Sequence, residues 1–160
     1  MNNNITTYLN DHLAGSVAAL ELIDDLIKCC ADEAMKTFLI NLQRDIQSDQ
    51  TVLEQLLDRA NENESMVRKA AAWVSEKVAR AKFKIAGEDL GGLGLVQAFE
   101  MLALGIRGKE LLWRALQRAD STAPADVDFT KLEQRAVEQQ QRVEEKRLEA
   151  VKAAFTSKAL

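Results

Sequence analysis

The sequence predicts an all-α fold, an antiparallel bundle of four long helices with one shorter helix, in a single domain spanning residues 1–160. Three observations lead there. Apolar residues recur at helical spacing through most of the chain, at i, i+3, i+4 and i+7. Only two stretches carry strong loop chemistry, "GEDLGGLG" and "DSTAPADVD", the second holding the sole proline, Pro124. With one proline, seven glycines and 5% aromatic residues, a sheet-rich fold has little to build on.

The first helix is predicted from about Ile5 to Cys30, with Thr6 or Thr7 as its cap. The second covers about Glu33 to Ala60, with Phe38, Leu39, Leu42, Ile46, Leu53, Leu56 and Leu57 at helical spacing. So short a connection between them implies an antiparallel hairpin. "NENES", Asn61 to Ser65, breaks the pattern and caps a third, shorter helix over about Met66 to Ile85. After the glycine-rich loop a fourth helix runs from about Leu95 to Arg118. A fifth follows from about Asp128 to Phe155, opening with the cap-like "DFTKLE".

Composition narrows the function classes. At 160 residues and 47% apolar content, the chain can bury a real core and is not disordered. A net charge of −4 does not suggest a nucleic-acid partner for the whole protein. "MNNNITTYLN" lacks the basic start and apolar run of a cleavable signal, and no stretch of about 18 apolar residues predicts a membrane span. Cys29 and Cys30 are neighbours, with no CxxC pairing to suit zinc, so two reduced thiols in a cytoplasmic protein are expected. There is no nucleophile–base pair, phosphate-cradling loop or dinucleotide fingerprint, so no catalytic residue and no cofactor is predicted.

The informative residues are polar ones on apolar faces. His12, the only histidine, lies within the arc of Ile5, Leu9, Ser16, Leu20, Ile23 and Ile27. In the second helix Asp49 interrupts Leu42, Ile46, Leu53 and Leu56. In the fourth, Lys109 interrupts Leu95, Phe99, Leu102, Ile106, Trp113 and Leu116. In the fifth, Gln140 and Arg147 interrupt Phe129, Ala136, Val143, Ala150 and Ala154, with Glu133 and Glu144 at the margin.

His12 lies about 19 residues before the first turn and Asp49 about 18 after it, so at a common rise of about 1.5 Å per residue they reach one level. Counting from the later turns brings Lys109 and Gln140 near the same layer. Buried ionisable groups need partners. The expectation is a neutralised network of His12, Asp49, Lys109, Gln140, Glu144 and Arg147 that holds helix register. A small-anion site around Lys109 and His12 is one alternative. A metal site using His12, Asp49 and Glu144 is another, short of ligands for a tight centre.

"YLNDHLAGSVAALEL", "AAWVSEKVARAKF" and "LALGIRGKELLWRAL" resemble an uncharacterised bacterial family of ferritin-like domains. The resemblance implies two helical hairpins joined by a long crossover, which the third helix would form. Di-iron members of that superfamily use one Glu from each of two helices and a Glu-x-x-His from each of the others. This chain has no Glu-x-x-His: Glu144-x-x-Arg147 places a guanidinium at the nitrogen ligand's position, and Asp49 is followed by Val52. Glu21 and Glu100 fall outside the apolar stripes of their helices. The resemblance therefore implies a ferritin-like bundle whose metal layer has become salt bridges.

Two surfaces are candidates for binding. Met101, Leu104, Leu111 and Ala115 give the fourth helix a second apolar face, with Gly105 and Gly108 permitting close approach. That face is expected to meet either the third helix or the same helix of a homodimer partner. The third helix carries Arg68, Lys69, Lys77, Arg80, Lys82 and Lys84 against Glu76, a surface for an acidic partner or for the acidic body of the protein itself.

Overall fold

A computed structural model describes residues 3–60, 92–119 and 126–156. Among them the protein is all-α, with four helices in two hairpins: α1 (Asn3–Cys29), α2 (Glu33–Ala60), α3 (Leu93–Arg118) and α4 (Phe129–Thr156). The shorter helix expected over Met66–Ile85, and with it the crossover, lies outside the described residues.

In the first hairpin α1 packs on α2. Asp32 starts α2: its carboxylate accepts from Met35 N at 2.6 Å, satisfying an amide that lacks a partner within the helix, and its carbonyl takes the first helical bond from Lys36 N at 2.9 Å. At the other end of the hairpin α1 begins at Asn3, so neither Thr6 nor Thr7 caps it, and Thr6 is buried within its first turns. The core residues Leu39, Leu42, Ile46, Leu53, Leu56 and Leu57 keep the spacing read from the sequence, joined by Leu9, Ile23 and Leu26 of α1. Each such Leu or Ile contributes about 1.5–3 kcal/mol by leaving water.

In the second hairpin α3 packs on α4. Gly92, with φ +55°, immediately precedes α3, in a backbone region that favours glycine. The helix thus begins at Leu93, two residues before the position read from the sequence. Asp128 caps α4, accepting from Lys131 N at 2.9 Å through its side chain and from Leu132 N at 3.1 Å through its carbonyl. Trp113, near the end of α3, and Phe129, at the start of α4, stack with ring centroids 6.1 Å apart.

Contacts along α3 and α4 give their register. Gln117 bonds Thr130, Arg114 bonds Glu133, Lys109 bonds Gln139, and Arg147 lies 3.6 Å from Glu100. Residues further back on α3 meet residues further along α4, the signature of an antiparallel pair. Among the described residues no helix is long and apolar enough to cross a membrane.

Candidate functional site

The polar side chains singled out in the sequence are carried by both hairpins. On α1, His12 is half-buried with its ring edge-to-face against Tyr8, centroids 4.6 Å apart and planes 86° apart. Burial pushes its imidazole below the ordinary histidine range, and the nearby Asp11 only partly opposes this. Burial therefore favours the neutral form of the ring. On α2, Asp49 is 2% exposed and is engaged by a polar or charged neighbour.

His12 and Asp49 do not share a level. Gln43 Nε2 donates to Asp24 Oδ1 at 2.5 Å, and Gln50 Nε2 to Ser16 Oγ at 3.0 Å. Extended along the hairpin, that register sets His12 opposite Glu54 and Gln55, and Asp49 opposite Val17 and Ala18. The mismatch is about five residues, roughly 8 Å along the axis. Its physical origin is the lean of each side chain toward its own helix's N-terminus. Counting Cα levels from the turn places the two residues together, whereas in an antiparallel pair their side chains lean apart.

On the second hairpin Lys109 Nζ donates to Gln139 Oε1. Gln139, fully buried, is thus the inward amide of α4; Gln140, the residue read from the sequence, is only half-buried. The buried row of α4 is Phe129, Leu132, Ala136, Gln139, Val143 and Ala150, so the apolar stripe read from the sequence holds at Phe129, Ala136, Val143 and Ala150, while the inward amide is one residue, about 100°, from Gln140. Glu144 and Arg147 lie on the hairpin's flank. There Arg147 Nε and Nη2 hold both Glu144 oxygens at 2.7 Å. This fork keeps the Glu144 carboxyl below the usual carboxylate range and raises the guanidinium above its own. Glu100 is exposed and approaches Arg147, and Glu21 is half-buried on α1.

Glu110 is the residue the sequence reading missed. It is 2% exposed, and its Oε1 accepts from Arg107 and, at 2.7 Å, from Arg114. Arg114 also reaches Glu133 Oε1 through Nε at 2.9 Å and Nη2 at 2.7 Å, and this contact is the main cause of its raised pKa. A signal for Glu110 exists in the sequence: arginines at i−3 and i+4 flank it on its own helix face. Lys109, one position earlier, drew attention because it interrupts a stripe that both residues border.

Between α3 and α4 an open groove of about 620 Å³ is lined by Arg107, Glu110, Gln140, Gln141, Glu144 and Glu145, with Ala103 and Val137. Among the described residues no three His, Cys, Asp or Glu side chains converge as metal ligands, and the set His12, Asp49 and Glu144 forms no such group. A di-metal centre does not fit the donors of the second hairpin either. Arg147 occupies the histidine position of Glu-x-x-His and takes up both oxygens of Glu144. Cys29 is exposed and Cys30 half-buried, both as free thiols.

The chain matches no family model, no curated protein and no solved structure. The ferritin-like resemblance therefore rests on the quoted segments alone. What stands for the described residues is an all-α protein of paired helices with charge pairs set into its buried surfaces.

Met101, Leu104 and Leu111 point outward on α3, 41%, 74% and 44% exposed, with Gly105 exposed and Gly108 half-buried between them.

Proposed function

We propose that this protein is a ferritin-like helical bundle that acts by binding or self-assembly, its polar interior built from charge pairs in place of a metal layer. The observation that carries the reading is the double clamp on Glu110. A carboxylate at a buried position of the bundle is neutralised by two guanidiniums of its own helix. Glu144, the nearest counterpart of a bridging carboxylate, is likewise taken by Arg147. Side-chain cations thus supply the charge that a metal ion supplies in di-iron bundles, and the carboxylates keep no free pair of oxygens for chelation.

The test is elemental analysis of the full chain after iron and manganese exposure and desalting. Metal well below one equivalent is expected, with the same unfolding midpoint in chelator and in added metal. One equivalent or more of retained metal, with a midpoint that falls on chelation, would overturn the reading.

A second reading, a divergent small-ligand protein, draws on the groove beside Glu144. Its lining offers the amides of Gln140 and Gln141 beside Ala103 and Val137, which suits a small molecule with a hydrogen-bonding group and an apolar part. Chemical-shift changes confined to those residues, on titrating a library of small amines and amides, would favour it.

A further inference from the structure

We propose that the groove between α3 and α4 binds a singly charged organic amine, its ammonium held by Glu145 and Gln141 and its apolar body lying over Val137. This rests on the small-ligand reading above and adds the charge and polarity of the ligand.

The groove runs along one face of each helix. On α4, Val137, Gln141 and Glu145 recur every four residues in a single row, with Gln140 and Glu144 beside them. On α3, Ala103, Arg107 and Glu110 form the facing wall. The contacts of Arg114 with Glu133 and of Arg147 with Glu100 set the register. Glu144 then stands level with Ala103, Gln140 with Arg107, and Val137 with Glu110. The stretch from Val137 to Glu145 gives about 12 Å of groove.

Most of the charge in this lining is already answered within the chain. Arg107 and Arg114 hold Glu110, and Arg147 takes both oxygens of Glu144. Three polar side chains of α4 are left. Among the described residues Glu145 makes no ion pair or hydrogen bond, and the side-chain amides of Gln140 and Gln141 have no partner. An exposed carboxylate in water needs no partner, so exposure alone gives Glu145 no role. Its place does: it closes one end of a groove whose apolar lining, Ala103 and Val137, is half-buried.

The charge of the ligand follows from the two ends. A carboxylate group beside Glu145 would face two carboxylates of α4, and a neutral group would leave Glu145 uncompensated. An ammonium donates three hydrogen bonds, which Glu145 and the side-chain carbonyl of Gln141, one turn back, can accept. The far end has the reverse polarity. There Arg107 and Arg114, each about half exposed, converge on Glu110. A second ammonium at that end would lie beside two guanidiniums, so one charge fits and two do not. Between the ends an apolar chain leaves water by lying over Val137.

The test titrates three probes into the full chain at low salt. They are n-hexylamine, protonated at neutral pH as a lysine side chain is, the neutral hexanamide, and the dication hexamethylenediamine. The side-chain amide signals of Gln140 and Gln141 report occupancy of the groove by NMR. n-Hexylamine is expected to bind at least about threefold tighter than either other probe, an advantage sized for one solvent-exposed ion pair. That advantage should shrink at high ionic strength. Glu145→Gln should erase the preference for the amine over the amide. It should leave hexanamide binding and the unfolding midpoint unchanged, because Glu145 is exposed and unbonded among the described residues.

Equal affinity for n-hexylamine and hexanamide, or a preference that survives in Glu145→Gln, would overturn the proposal. The small-ligand reading would then stand as long as the Gln140 and Gln141 signals still move. Tighter binding of hexamethylenediamine would overturn the single charge. If no probe moves those signals, the small-ligand reading and the proposal fall together.

Discussion

Glu110 gathers two arginines of its own helix onto one buried carboxylate. Its carboxylate is out of water, but Arg107 and Arg114 keep about half of their own surface exposed. Removing it leaves two cations that water can still reach, so the cost falls below that of stripping a fully buried pair. Glu110→Ala is expected to lower unfolding free energy by about 1–3 kcal/mol, measured in urea, and Glu110→Gln by less. His12 provides the pH-dependent counterpart. Its folded-state pKa lies below the unfolded value of about 6.5, so the unfolded chain binds the extra proton first as pH falls. Stability from this residue is therefore flat above about pH 6.5 and declines below it. The wild type should lose more stability than His12→Gln between pH 7 and pH 5.5. Equal losses would show that the ring is not held in an apolar setting.

At the level of elements, the helix starts have separate causes. Asp32 and Asp128 each offer a carboxylate to an amide three residues on, whereas α3 follows a glycine with positive φ and has no side-chain cap. Asp128→Ala is expected to cost about 1 kcal/mol, read from the thermal midpoint, because the amide of Lys131 loses its acceptor. α2, α3 and α4 were legible because their apolar rows recur over several turns, broken only at single polar positions, and because Asp or Gly precedes each start. α1 was less so at its start, since Thr6 resembles a cap but is buried inside the helix. The inward amide of α4 was displaced by one position. "EQQQ" offers three adjacent glutamines, and a step of one residue rotates the face by about 100°.

At the scale of the molecule, the sequence alone determined the all-α class of the described residues, the approximate spans of their four helices and the absence of a Glu-x-x-His motif. These depend on periodicity, turn chemistry and residue identity, all local along the chain. It also marked Asp49 as a buried carboxylate and α3 as apolar on two faces. Only the tertiary structure decided who meets whom. It separated His12 from the level of Asp49, gave Lys109 to Gln139, and set Arg147 on a half-buried Glu144. It also revealed Glu110 between its two arginines. Contacts of this kind depend on axial stagger and side-chain lean, where an error of one residue moves a group to another face. Helical periodicity records which face a residue occupies, and packing decides which partner that face finds.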